Sequence, residues 1–398
     1  MAVAEAEARG VIATAHEQPF ETAGVTTITL GHAVHDTYTA FLPPLLPVLI
    51  EKFALSNSQA GLLNVFLQWP SLLQPVIGYL ADRRNLRYLV IVAPSISAIC
   101  MSLLGVAPSY AIMAFLLLIV GAGAAGLHSV GPVIAANMAG RQIGRAMGMW
   151  MVGGGLGYTV GPLVIVAAIG LVGLEGTPWL MIGGILASAA LYVRLRDVSS
   201  LSPSAQAPLR WREALTAMRP LLIPVVGITI VRSFMAAALS TYLPLFLKSE
   251  GSTLWFAGAA LAIFEAAGMV GSLTAGSLSD RIGRRKVLAV AMALATPLMA
   301  AFMLTQGAAR LPLLIALGFT ALAIMPVMMA LVQERFPENR AMANGLYLGL
   351  SFLSNAAATL ALGVLADAFS LRIAFTVSAA VPLLGLPLVA LLPGRQRV

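Results

Sequence analysis

The sequence predicts an all-α integral membrane protein with twelve transmembrane helices in two pseudo-symmetric six-helix bundles. Three observations carry this expectation. Of the 398 residues, 59% are hydrophobic and only 10% are charged, whereas a soluble domain carries roughly 25% charged residues. That excludes a soluble enzyme, and the single cysteine, Cys100, excludes an intrachain disulfide scaffold. Apolar stretches recur along the chain, each about the 20 residues that a helix needs to cross the hydrocarbon layer. They are continuous rather than alternating, which selects helices over barrel strands, because a helix pairs its own backbone polar groups.

Residues 1–24 hold Glu5, Glu7, Glu17 and Glu21 against Arg9, the wrong sign for a signal peptide, and are expected to be a disordered cytoplasmic tail. The N-terminal bundle, 25–196, reads as six spans. The first, 25–50, carries His32, His35 and Asp36 in its first half. The second, 57–81, carries Gln68, Trp69 and Gln74 and stops at Asp82. The third, 87–107, begins at Arg87 and holds no other charge. The fourth, 109–138, is rich in small residues through Gly126 and then His128. The fifth, 146–171, contains Gly148, Gly153, Gly157, Gly161 and Pro162, and the sixth, 177–195, closes at Arg194. Residues 197–219 are rich in Ser and Pro and then basic, with Trp211, Leu215 and Met218 spaced for a short amphipathic helix on the membrane surface. This is the expected cytoplasmic linker. The C-terminal bundle, 220–398, reads as spans at 220–247 with Arg232 and Tyr242, 254–279 with Glu265, 286–306, 311–334, 341–366 with Asn355, and 372–392.

With both ends on one side, 19 of the 24 basic residues fall in loops on that side, while only Lys52, Lys248, Arg310 and Arg372 fall on the other. The positive-inside rule makes the richer side cytoplasmic, with both termini inside a cell (inner or plasma) membrane. Topology thus explains the net charge of +8, and no nucleic acid is expected as partner. The halves also repeat. Gly78 to Arg83 recurs at Gly276 to Arg281, Arg145-Ala-Met at Arg340-Ala-Met, and Pro43 at Pro244, with offsets of 198, 195 and 201 residues. Duplicated six-helix halves are a transporter architecture.

The run Gly276-Ser-Leu-Ser-Asp280-Arg281-Ile-Gly283-Arg284-Arg285-Lys286 resembles the cytoplasmic loop motif of the major facilitator superfamily, with Gly78, Asp82 and Arg83 as its partial first-half copy. These residues, together with Arg145, are read as a gating set: Gly276 allows close helix packing, Asp280 takes charge-assisted bonds, and the basic cluster pins the loop to the cytoplasmic face. In the fifth span the spacing of Gly148, Gly157 and Gly161-Pro162 resembles the motif of the superfamily's drug and proton antiporters. Gly153, Gly157 and Gly161 form a small-residue stripe that admits a neighbouring helix, and Pro162 bends the span. His32 with Asp36, Leu72 to Tyr79 around Gln74, His128, and Val152-Gly153-Gly154 resemble the fosmidomycin resistance proteins, the branch that exports small antibacterials. After the fourth-span histidine those proteins carry Pro and Glu, where this chain has Ser129 and Val130. The resemblance implies a major facilitator fold and proton-coupled drug efflux by a monomer.

Gly121 to Gly126 matches G-x-G-x-x-G literally, but no strand precedes it and no acidic residue lies between Asp82 and Glu175, so it is not a dinucleotide site. There is no phosphate loop for ATP. No cofactor is expected, nor a metal set, since beyond His32 and His35 the histidines show no ligand spacing. Ionisable groups inside the spans mark the transport path, because each is costly in lipid. His32 and Asp36 are spaced i, i+4 and share one face with His35. Asp36 is the candidate carrier of a coupling proton with His32 as its shuttle; the alternative is a structural hydrogen-bond cluster. Glu265 is the second candidate, as proton site or counter-ion. Arg232 either binds an anionic substrate or forms a fixed ion pair. His35, His128, Gln68, Trp69, Gln74, Tyr242 and Asn355 are the remaining candidates for binding substrate, with interhelical bonding as the alternative. The expected activity is export of small organic compounds driven by proton influx. The rivals are proton-coupled uptake of an organic acid or nutrient, and uncoupled lipid flipping.

Overall fold

A computed structural model of the protein describes residues 19–81, 83–201, 211–335 and 340–392, excluding the side chains of 211–222, 333, 335 and 340–346. Every regular element among the described residues is helical. In chain order these are α1 (Thr22–Thr39), α2 (Leu42–Phe53), α3 (Asn57–Gln68), α4 (Gln74–Ala81), α5 (Arg87–Leu103), α6 (Tyr110–Asn137), α7 (Ile143–Val172), α8 (Met181–Leu195), α9 (Trp211–Ala236), α10 (Leu243–Ser249), α11 (Leu254–Ile282), α12 (Arg284–Leu304), α13 (Arg310–Arg335), α14 (Arg340–Ala368), α15 (Leu371–Ala380) and α16 (Gly385–Ala390).

Starts follow local chemistry. Ser56 and Gln59 form a reciprocal capping box at α3, while Ser109, Thr253 and Ser370 cap α6, α11 and α15. Gly283 separates α11 from α12 at φ 99°, a conformation costly for any residue with a Cβ.

Ten helices among the described residues are long and apolar enough to cross a membrane. The expected first and second spans are each divided. The first breaks at Ala40–Phe41, just before Pro43 and Pro44, and the second passes through a 3-10 turn at Trp69–Leu73 that contains Pro70. Proline lacks the N–H that would continue the ladder. The surface helix expected at 211–218 is not separate, because α9 runs from Trp211 through the start of the seventh span; its side chains there lie outside the described ones. Of the expected N-terminal tail, 1–18 lies outside the described residues, and α1 begins at Thr22.

The chain forms two compact units, Met1–Thr39 with Pro70–Tyr158 and Val172–Pro208, and Ala40–Trp69 with Thr159–Leu171 and Leu209–Val398. This division does not follow the expected boundary at 197–219: residues 40–69 and 159–171 belong with the second unit. Two of the cuts coincide with the broken backbone at 40–41 and 69–73. In the first unit α5 packs on α6 and α8, around a core that includes Val25, Ile28, Val90, Leu127, Ile134, Trp150 and Leu191. In the second, α11 packs on α13 and α3 on α14, and Phe246 stacks on Phe375 in the largest core cluster. Leu171, Trp179 and Leu304 keep more than three quarters of their surface exposed, as suits side chains that meet lipid rather than water.

Candidate functional site

The first unit gathers His32, His35 and Asp36 of α1 with His128 of α6. Small residues on α7 make this possible. A Cβ at Gly153 would stand 2.6 Å from the carbonyl oxygen of Thr29, one at Gly154 2.8 Å from His32 Cε1, and one at Gly157 2.6 Å from the carbonyl oxygen of Ala33 and from Asp36 Cβ. The α1 backbone therefore lies directly on this glycine face, and His32 stacks on Trp150 of the same helix with ring centroids 3.9 Å apart.

Hydrogen positions in the cluster follow from its acceptors. His32 Nδ1 donates to the carbonyl of Trp150 at 3.0 Å, and His128 Nδ1 donates to the carbonyl of Ala124 at 2.8 Å. A carbonyl only accepts, so both hydrogens sit on Nδ1 and each neutral ring presents a lone pair at Nε2. His35 Nδ1 faces the carbonyl of Ala93 at 3.3 Å and Ser97 Oγ at 2.6 Å, while Ser97 Oγ donates to that same carbonyl. His35 too then carries its lone pair at Nε2. These atoms converge on one carboxylate. His32 Nε2 is 3.0 Å from Asp36 Oδ2 and 3.2 Å from His128 Nε2, while His128 Nε2 and His35 Nε2 are 3.8 and 3.9 Å from Asp36 Oδ1. His35 Nε2 and Asp36 Oδ1 are buried without a hydrogen-bond partner.

Three neutral imidazoles and an ionised carboxylate would thus present only lone pairs to one another. The short contacts require at least one added positive charge, a proton on His32 Nε2 or on Asp36 in the simplest case. A protonated His32 would also lie flat on Trp150, where a cation is favoured by the ring face. Three of the four members are closed off: the side chains of His32, His35 and Asp36 are at most 5% exposed, against 32% for His128.

The second unit holds the other candidates. Glu265 accepts from Ser240 Oγ at 2.9 Å. Arg232 is buried, and its Nε has no hydrogen-bond partner; Tyr347 Oη and Ser351 Oγ are orphaned in the same way. Gln68 donates to Asn355 at 3.2 Å, so these two amides serve each other, and Trp69 is exposed. Tyr242 makes the interhelical bonds that were its alternative reading. It is 1% exposed, and its hydroxyl lies between the carbonyls of Asn57 and Thr359, donating at 3.2 and 2.9 Å. Beside it Asp367 accepts from the backbone N–H groups of Asn57 and Ser58 and from both side chains, on the start of α3. Gln74 contributes its backbone carbonyl, accepting from Ser129 in the first unit.

In the loop motif Arg284 pairs with both Asp280 and Glu334, donates to Ser279, and reaches the carbonyl of Gly276 at 3.2 Å. Arg285 donates to the carbonyl of Ala390 at 2.9 Å. In the first copy Asp82 lies outside the described residues. Arg83 lies over the ring of Tyr79, and Arg145 donates to Gln142 and lies over Phe20. A Cβ at Gly78, Gly148 or Gly276 would meet no atom within 4 Å, so close helix packing does not account for these glycines. Sequence reasoning missed Trp150, Ser97, Glu334 and Asp367. Glu334 and Asp367 carried a signal, as acidic residues at the ends of the tenth and eleventh expected spans.

Helices of membrane-spanning length and apolarity mark a multi-pass membrane protein, and the buried ionisable side chains in each unit are of the kind that line a path through the membrane. The chain belongs to the Major Facilitator Superfamily, whose family model matches residues 28–317. It is similar to the fosmidomycin resistance protein of Escherichia coli (strain K12), 26% identical over 93% of each chain. It is also similar to the multi-drug resistance efflux pump PmrA of Streptococcus pneumoniae, 24% identical over 66% of this chain and 68% of the pump. Among solved structures, a bacterial homolog of the human lysosomal transporter Spinster, in an inward-facing and occupied conformation, matches with a TM-score of 0.81 over 94% of this chain and 97% of its own, at 17% identity. That last likeness shows the fold.

Proposed function

We propose that the protein is a proton-coupled transporter of twelve crossings that exports small organic compounds, antibacterials among them, across the inner membrane by alternating access. The observation that carries the coupling is the hydrogen count at Asp36: a carboxylate and three imidazole lone pairs meet with no hydrogen to spare, so the cluster holds a proton when substrate is absent and releases it through His128 when the transporter changes state. Linkage supplies the mechanism. A proton and a substrate that favour opposite states of one protein each shift the population against the other. The names of the two relatives support export over uptake. Arg232, with its buried and unpartnered Nε beside the orphaned hydroxyls of Tyr347 and Ser351, serves as the anchor for an anionic group on the substrate. Both termini face the cytoplasm and the transporter works as a monomer.

The test uses everted membrane vesicles with an acid interior and a panel of small antibacterials that begins with fosmidomycin. Compounds that alkalinise the interior are substrates of an antiporter; acidification, or no response to any compound, contradicts the reading. In the same vesicles Arg232→Gln is expected to lose the response to anionic compounds and keep that to neutral ones. Equal loss for both classes would remove Arg232 from substrate recognition.

A further inference from the structure

We propose that His32, Asp36 and His128 form a binding site for a divalent transition metal ion of the zinc class. His32 Nε2, His128 Nε2 and a carboxylate oxygen of Asp36 lie within 4.8 Å of one another. A tetrahedral zinc ion with bonds of about 2.0–2.1 Å holds its donors roughly 3.3 Å apart. His32 Nε2 lies 3.0 Å from Asp36 Oδ2 and 3.2 Å from His128 Nε2, and His128 Nε2 lies 3.8 Å from the other carboxylate oxygen, Oδ1, so an ion is seated among them by small side-chain adjustments.

The rings are already in the tautomer that a metal requires. The carbonyls of Trp150 and Ala124 take the Nδ1 hydrogens and leave Nε2 free, the arrangement by which metal-bound histidines are oriented. Two nitrogens and one carboxylate suit zinc, cobalt(II) or nickel(II) rather than magnesium or calcium, which take oxygen ligands. Three protein ligands leave a fourth position open. His35 Nε2, buried and unpartnered 3.9 Å from Asp36 Oδ1, stands beside it as a further donor. The imidazole of His128, about a third exposed, gives the ion its way in. Sequence spacing offered no such set because His128 lies 96 residues from His32, and only the packing of α1 against α6 and α7 brings the donors together. The site stands on geometry alone and holds whether or not the protein moves protons. Where it does, the metal occupies the lone pairs that the proton would take and blocks transport.

The intact chain, purified in detergent without a histidine tag, is titrated with cobalt(II) alone. The expected result is one cobalt per chain with the intense visible bands of a tetrahedral nitrogen and oxygen site, bleached by an equal amount of zinc. His128→Ala removes the most exposed ligand, at the least expense to packing, and is expected to weaken cobalt binding by roughly 100-fold or more, since loss of an outer-shell partner alone costs about 10- to 100-fold. A wild-type spectrum that remains that of octahedral aqueous cobalt overturns the site, as do tetrahedral bands that persist in both His128→Ala and Asp36→Asn. The first of these outcomes needs no variant to fold. Vesicles from the same cells separate the two readings: cobalt bands without compound-driven proton movement sustain the metal site and contradict coupling, whereas proton movement without cobalt bands does the reverse.

Discussion

Asp36→Asn is expected to abolish compound-driven proton movement while leaving substrate exchange in place. The carboxamide keeps the shape of the side chain but cannot hold or release the proton that the three imidazole lone pairs demand. An amide nitrogen in the place of Oδ2 can donate to His32 Nε2, so the 3.0 Å contact becomes an ordinary hydrogen bond. Position 36 then has no reason to change charge. Each coupled proton contributes about 2.3 kcal/mol per 100 mV of membrane potential, which corresponds to roughly 50-fold in the concentration ratio sustained at equilibrium. The variant should therefore lose uphill accumulation by about that factor per coupled proton at 100 mV. Counterflow of labelled against unlabelled compound needs no net proton movement and should persist. Loss of both activities together would place Asp36 in folding or substrate binding instead.

Gly157→Ala is expected to be as damaging to the cluster as a change to one of its own members, although glycine carries no chemistry. Its Cβ would stand 2.6 Å from the carbonyl oxygen of Ala33 and 2.8 Å from the backbone nitrogen of Thr37. Neither atom belongs to a flexible side chain, so relief requires α1 to move off α7 and take His32 and Asp36 away from Trp150. Overpacking of this kind costs about 1–3 kcal/mol. The expected outcome is a lowered thermal midpoint in detergent together with loss of the proton response. Gly148→Ala on the same helix meets nothing within 4 Å and should leave both measurements within about 0.5 kcal/mol of wild type. Equal behaviour of the two variants would contradict the role given to the glycine face.

The contrast between these glycines shows how far the sequence could be read. The spacing of Gly153 and Gly157 marks a surface for close approach, and the fold sets α1 on it. Gly78, Gly148 and Gly276 sit in equally recognisable motifs, yet no neighbour approaches them, because spacing reports which face is small and not what covers it. The composition and the apolar runs were enough for a helical membrane protein. They did not foretell the breaks at 40–41 and 69–73, where single residues before or at proline outweigh a continuous apolar signal. His32 and Asp36 were legible together since i, i+4 spacing places them on one helical face. His128, Trp150 and Ser97 come from three other helices, and no local pattern ties them to Asp36. Tyr242 was open to both readings, because a polar aromatic in a span suits a cavity or a helix contact equally; two backbone carbonyls, those of Asn57 and Thr359, hold its hydroxyl in the second unit.

The most direct test of the coupling is proton release on binding. Purified protein in weakly buffered detergent solution is mixed with a compound that alkalinises vesicles, and the pH is followed with an indicator dye. Release of a proton is expected as the compound binds, absent in Asp36→Asn at saturating compound. Binding without release in the wild type, or release that survives Asp36→Asn, would contradict the coupling.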